Sequence, residues 1–480
     1  MLNSKNVLWI LLVAAATATS CKKNVTDAAA DGGKFNRSVR ATTPDNRPVP
    51  TVSKNIPNVI SSDLTLDKDT LWYLNGPTYV TNGAKLTIEA GSFIKGKRKV
   101  NVTNNYPSFL MVTRGSQLIA NGTDDAPIVF TSEQPAGSRN KGDWGGIVLL
   151  GNGHTNSGVM EIEGIQQGYV TSFNLPFPST IEYGDNTDED NSGSLKYVRI
   201  EFAGDVITEG NELNGLTLGA VGYLTTLEHI QVSNGADDGF EFFGGAVNAK
   251  YLVSFGNDDD DLDFDQGYQG SIQFAVAVKN PALGFSSSPN GIESNNITSP
   301  VVVTDPSRKT RPILSNLTIL GTNTTPAPPS GVGTLFRVNS DYVLRNSIIG
   351  GFNTGSTLLT ASVDEYYNNI VHGFTTSYAP TSFPPAMNVT AFVSSNTNND
   401  LLLVDPFTLS APDFRYVDDP FVGTSPAGTV GTNFTSLTVT HPGGALSAFT
   451  STAYVGAFPS QNDARWDDTW ASYSPNANTY

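Results

Sequence analysis

The chain has 480 residues, with 28 Lys or Arg against 45 Asp or Glu, a net charge of −17. That balance argues against nucleic acid and anionic lipid as main partners and favours cations and neutral ligands. Charged residues make up only 15%, and 46 glycines sit among abundant Asn, Thr, Ser, Val and Ile, which argues against coiled coils and helical bundles and for an all-β fold.

The first element is a leader. MLNSK carries one Lys ahead of the apolar NVLWILLVAAATA, and Ala18-Thr19-Ser20 lead into Cys21, the only cysteine. The pattern predicts a signal peptide over residues 1–20. Small residues before a lone cysteine also match a lipobox, which makes Cys21 the expected lipidation site. The other reading is an ordinary signal with an incidental cysteine. One cysteine allows no intrachain disulfide and no Cys-based zinc site. The apolar run is short for a spanning helix, and no later run approaches eighteen apolar residues. Any membrane contact is therefore expected through a lipid anchor. Residues 21–55 lack apolar periodicity and are expected as a flexible tether.

From residue 56 onward one theme repeats: a short alternating strand, a Gly or Asn, another short strand. KLTIEAG (85–91), FLMVTRGSQLIANG (109–122), PIVFTS (127–132) and WGGIVLLGNG (144–153) all fit, and no helical window of twelve residues stands out. HIQVSNGADDGFEFFGG (229–245) aligns with YLVSFGNDDDDLDFDQG (251–267) at an offset of 22, which sets Phe240 on Leu262 and Phe242 on Phe264. Further on, Asn316, Asn346 and Asn368 each precede a glycine by five residues. A period near 22 built of short strands predicts a solenoid, since one thin turn cannot bury its own apolar face. The expected fold is a right-handed parallel β-helix over residues 56–375, with inward ladders spaced ~4.8 Å and an asparagine ladder at a bend. Propeller blades need repeats of roughly 40–50 residues, which do not occur. The Pro- and Asn-rich residues 376–480 are expected as an irregular C-terminal cap over the last turn. WDDTW (466–470) is expected to pack within that cap.

The densest chemistry lies at GNDDDDLDFDQG (256–267). If Leu262 and Phe264 point inward, alternation sends Asp261, Asp263 and Asp265 outward. Glu241 falls one turn below Asp263, and Asp237 and Asp238 fall below Asp259 and Asp260. Stacked charges ~5 Å apart repel by about 1 kcal/mol even in water. A cation relieves this, and Ca²⁺ suits an all-oxygen set. Shared protons relieve it too. The predicted metal ligands are Asp237, Asp238, Glu241, Asp259, Asp260, Asp261, Asp263 and Asp265. The spacing is not an EF-hand loop, because Gln266 and Ile272 stand where Gly and Glu belong. The plain alternative is a solvated acidic face.

Other chemistry is sparse. The four histidines, His154, His229, His372 and His441, have no ligand spacing. His229 is expected to stack between turns. No nucleophile elbow or phosphate-binding loop occurs. Trp144 in GDWGG could face a sugar or, more commonly, pack inside. Arg199 and Glu201 in VRIEF are expected to point outward near the acidic turns, where Arg199 is the one candidate catalytic base.

LTIEAGSFIKG (86–96), GDWGGIVLLG (142–151), NGADDGFEFFGG (234–245), AKYLVSFGNDDDDLDFDQGYQG (249–270) and YVGAFPSQNDARW (454–466) resemble a family of secreted bacterial β-helix proteins, largely Bacteroidota-type lipoproteins. The resemblance spans roughly residues 60–475. It implies the β-helix, a cell-envelope location with an outer-membrane lipid anchor as the expectation, and no catalytic residues, because the family has no established activity. SCKK at the anchor lacks an acidic pair, which leaves surface export and periplasmic retention both open.

Three functions fit these features. The first is an envelope lipoprotein whose rigid lateral surface binds a glycan or another envelope protein, with Ca²⁺ in the acidic patch. The second is a Ca²⁺-dependent polysaccharide lyase-like enzyme using Arg199. The third is a stalk with no partner beyond Ca²⁺.

Overall fold

In this computed structural model the described residues are 45, 47–98, 106–208, 211–286, 288–296, 302–324, 331–358, 365–379, 389–440 and 446–480. The expected signal, Cys21 and residues 22–44 of the tether lie outside them.

The chain is a right-handed parallel β-helix, in which 26 strands among the described residues are joined by parallel pairing. Each coil lays down three short strands, so three sheets enclose the core. Thr226–Ser233 supplies two of them, joined by a bend at His229, and Phe240–Phe243 supplies the third. Asn248–Phe255 and Leu262–Asp265 repeat the layout one coil on. The predicted offset of 22 is the observed register: Ile230 pairs with Leu252, Phe240 with Leu262, Glu241 with Asp263 and Phe242 with Phe264.

Alternation explains the core. Leu216, Phe240, Leu262 and Ile292 stack in register on the inner side of the third sheet, all buried. The Phe242 and Phe264 rings stack at 5.1 Å. Each such side chain contributes roughly 1.5–3 kcal/mol by leaving water. Between Gly146–Leu150 and Gly193–Glu201 the chain leaves the coil. It forms the small hairpin Met160–Glu161 with Glu182–Tyr183 and the five-residue helix Gln167–Thr171. Ile162, Tyr169, Val170 and Tyr183 cover the outer side of the third sheet over Tyr79, Phe109, Met111 and Phe243.

The bend between the first two sheets is one column of left-handed residues. Asn316, Asn346 and Asn368 occupy it at φ 57°, 54° and 55°, and so do Tyr197, His229, Tyr251 and Phe274 at 50°, 54°, 60° and 60°. Asparagine adopts this conformation readily, whereas an aromatic residue there is an outlier that packing must stabilise. Stacking supplies it: successive rings lie at 4.3 Å, 4.4 Å and 5.2 Å from Tyr197 through His229 and Tyr251 to Phe274. His229 thus stacks between turns as its position suggested. The asparagines differ from expectation. Their amides bond mainly to the C-terminal segment, not to one another: Asn316 donates to Tyr454 O at 3.1 Å and Asn368 to Gly431 O at 3.2 Å.

Two boundaries shift. The tether was expected to reach residue 55, yet Val52–Asn55 is a strand paired in parallel with Thr70–Leu74. Its exposed, mostly polar side chains hid it, because an edge strand needs backbone pairing and little buried apolar surface. At the other end, Thr390–Val393 adds one more parallel strand beyond residue 375. The C-terminal segment then runs back across earlier coils. Trp466 meets Tyr251, Trp470 meets His229, Ser472 bonds Gln231, and the buried Tyr480 reaches Arg139 and Glu201. Trp470 and Asp467 of WDDTW are buried. Trp144 is fully buried too, its ring stacked near Phe130, so it is core and no sugar platform.

Candidate metal centre

The acids gather where the second sheet turns into the third. Asp237 and Asp238 sit in that corner on one coil and Asp258 to Asp261 in the same corner of the next, with Glu241 and Asp263 on the strands that follow. Gly239 lets the corners close tightly, since a Cβ there would lie 2.8 Å from Asp261 O.

Two sets of carboxylates converge. Oxygens of Asp238, Glu241 and Asp263 lie within 4.8 Å of one another, and so do oxygens of Asp237, Asp238 and Asp259. Asp238 belongs to both and is the hinge of the cluster. Its Oδ1 accepts the Asp260 N–H at 2.7 Å, while its own N–H donates to Asn214 Oδ1 at 3.3 Å. The Asn214 amide also donates to Glu241 Oε2. Asp263 stacks between Glu241 on one side and Glu293 on the other. Asp263 keeps part of its surface open, but its Oδ1 is buried with no hydrogen-bond partner.

Burial drives the electrostatics. It pushes the carboxyls of Asp238, Glu241, Asp260 and Asp263 well above the usual carboxylate range. Neighbouring charges push the same way: Asp237 and Asp259 on Asp238, Glu163 and Asp238 on Glu241, and Asp238 and Glu293 on Asp263. Asp259 is raised for the same first reason, partly offset by a 2.6 Å hydrogen bond from Ser286.

Not every predicted acid joins. Asp261 was expected to point outward but is fully buried, paired with Lys279 at 3.2 Å and accepting from Ser254 Oγ at 2.5 Å. It lies in the corner before the strand begins, where two-residue alternation does not apply. Asp265 does end the strand, but it is buried and its Oδ1 accepts the Gln266 N–H at 2.6 Å. Asp260 accepts the Asn290 N–H at 2.6 Å, so one oxygen is committed to the corner. Asp258 is held by Lys141 at 2.6 Å.

Arg199 is also corrected. It was expected outward near the acids, but it is buried under the C-terminal segment. It is paired with Asp45, lies 3.7 Å from Glu201 and sits over the Tyr480 ring. A guanidinium so enclosed and doubly paired cannot serve as a base for a substrate.

Sequence reasoning missed Glu293, Glu163 and Asn214. Glu293 stands 30 residues beyond Asp263 because the intervening corner is longer, so a fixed offset of 22 passes over it. Only the apolar-acid step Ile292-Glu293, like Phe240-Glu241 and Leu262-Asp263 before it, hints at its place.

Among the described residues no helix is long and apolar enough to cross a membrane. No curated protein and no solved structure matches the chain. The family model described as a pectate-lyase-like β-helix domain matches residues 58–405. That span takes in nearly every coil and the whole acidic cluster, and the chain belongs to the pectate-lyase-like β-helix domain family.

Proposed function

We propose that this is a cell-envelope β-helix, lipid-anchored through Cys21, whose acidic corner holds Ca²⁺ and whose lateral surface binds a glycan or an envelope protein. The observation that carries the metal is the convergence of Asp238, Glu241 and Asp263 within 4.8 Å. Ligands on opposite sides of one Ca²⁺ are separated by about twice its ~2.4 Å bond length, so carboxylates at this spacing can share an ion. The buried, unpartnered Oδ1 of Asp263 supports the same reading, because an isolated buried carboxylate oxygen is costly.

Family membership supports the fold and no reaction by itself. The enzyme reading needed an accessible base beside the acids. Arg199 is enclosed elsewhere, and Lys279 and Lys141 are each paired with an aspartate. The binding reading therefore stands ahead of the lyase reading.

The test is thermal unfolding of the mature, unlipidated chain in Ca²⁺ and in chelator, with Asp263→Asn alongside. A midpoint that rises with Ca²⁺ in the native chain and not in the variant supports the site. No shift at millimolar Ca²⁺ removes the metal from the proposal.

A further inference from the structure

Among the described residues the enclosed ion pairs use arginine, as in Arg308–Asp188 and Arg465–Asp467, with one exception. Lys279 Nζ lies 3.2 Å from Asp261 Oδ2, and the two side chains are 2% and 0% exposed. Lys279 follows the strand Ser271–Val278, and Asp261 precedes Leu262–Asp265 on the coil before. The contact therefore bridges neighbouring coils at the acidic corner.

A guanidinium is a poor nucleophile, whereas a lysine amine is a good one once it has given up its proton. The Asp261 carboxyl is arranged for attack. Its Oδ1 accepts from Ser254 Oγ at 2.5 Å, and Ser254 Oγ in turn accepts from Asn257 Nδ2 at 2.8 Å. That fixed donor polarises the carbonyl and faces the charge that a tetrahedral intermediate would place on Oδ1. Oδ2 is buried with no hydrogen-bond partner, so only the amine faces it. Lys279 Nζ also donates to Asp259 O, which fixes the amine beside the carboxyl. Contact at this distance supplies the orientation that a bimolecular reaction lacks. Burial supplies a drive: two enclosed charges carry a desolvation cost that conversion to a neutral amide removes.

We propose that Lys279 and Asp261 condense into an intramolecular isopeptide amide that staples adjacent coils. The ammonium passes one proton to Oδ2, and Nζ bonds to Cγ. A second N–H proton goes to the same oxygen, and the Cγ–Oδ2 bond breaks as water leaves. The step consumes no oxidant, reductant or co-reactant. It gives this rod a covalent staple that a disulfide cannot, because the chain has one cysteine. It goes beyond the function proposed above and rests on neither the metal nor the glycan.

Denaturing intact-mass spectrometry of the mature, unlipidated chain tests it, beside Lys279→Arg, which keeps a cation at the position and cannot form the amide. The native chain is expected to weigh one water less than its sequence, and the variant its full sequence mass. Chymotryptic cleavage at Phe264, Tyr268 and Phe274 separates the two residues, so fragmentation should find one branched peptide joining Asp261 to Lys279. Trypsin should cut the native chain after Lys250 and not after Lys279. A native chain at full mass overturns the proposal. So does a missing water mapped to any other residue, such as a succinimide at Asp238-Gly239, or one that Lys279→Arg retains. The native mass and peptide map decide the matter even where the variant does not fold.

Discussion

Glu241 and Asp263 occupy the same position on successive coils, and both bring a carboxylate oxygen within 4.8 Å of Asp238. Parallel stacking in register forces this juxtaposition, because any outward acid repeated at the coil period meets itself on the next coil.

The first prediction concerns pH. Burial and mutual repulsion raise the carboxyls of Asp238, Glu241 and Asp263 in the folded state above their ordinary values of 3.8 and 4.5. The folded chain then holds more protons than the unfolded one, so stability is full below the ordinary range and falls as pH rises through the raised values. Each unit of separation costs about 1.4 kcal/mol per group. In chelator, the melting midpoint should fall as the pH rises above the ordinary carboxylate range, and the gain from Ca²⁺ should grow over the same interval. A midpoint flat across that interval counts against coupled acids.

Two substitutions in one acidic run should act in opposite directions. In chelator at neutral pH, Asp263→Asn removes a repelling charge and should stabilise the chain by about 1 kcal/mol. Asp261→Asn leaves the buried Lys279 ammonium without its countercharge and should cost about 3–5 kcal/mol. Denaturant titration of both variants decides it, and equal effects would mean that the two acids share one environment.

His229 supplies the opposite pH dependence. Its imidazole is pushed down to about 4 by burial between Tyr197 and Tyr251, and its Nδ1 lacks a hydrogen-bond partner. A depressed value means the folded state favours the neutral ring, so this contribution is present above the ordinary 6.5 and is lost as pH falls towards 4. In His229→Asn that acid-side loss should vanish. Asparagine fits the left-handed bend, so at neutral pH His229→Ala should be less stable than His229→Asn by about 1 kcal/mol. Guanidinium melts of the three chains at two pH values measure both effects.

Tyr480 fastens the returning C-terminal segment. Its hydroxyl donates to Glu201 Oε1 at 2.5 Å and accepts from Asn478 Nδ2 at 2.6 Å, deep in the structure. Tyr480→Phe deletes both bonds and leaves Glu201 further unpaired, at about 1–3 kcal/mol. The expected readouts are a lower melting midpoint and faster proteolysis within 454–480. An unchanged cleavage rate would show that the Tyr480 hydroxyl is not what fastens the segment, which Trp466, Trp470 and the Gln231–Ser472 bonds would then hold.

Much of this protein was legible in its sequence. The offset of 22 placed Phe242 on Phe264 and Glu241 on Asp263, because in a solenoid each coil pairs with its neighbour and the repeat length is the register. His229 as a stacking residue followed from the same alignment. Glu293 was not legible, because a longer corner breaks the period.

Periodicity, then, determined by itself the parallel β-helix, its inward ladders and the coils that carry the acids, since all three follow from a one-dimensional repeat. Only the tertiary structure decided which acids converge. Asp263 faces Asp238 and Glu241, while Asp261, two residues earlier, turns inward to Lys279. It also decided that Arg199 lies enclosed beneath Tyr480. Those outcomes depend on corner geometry and on a C-terminal segment that meets the coils hundreds of residues away in sequence, where no local pattern records the contact.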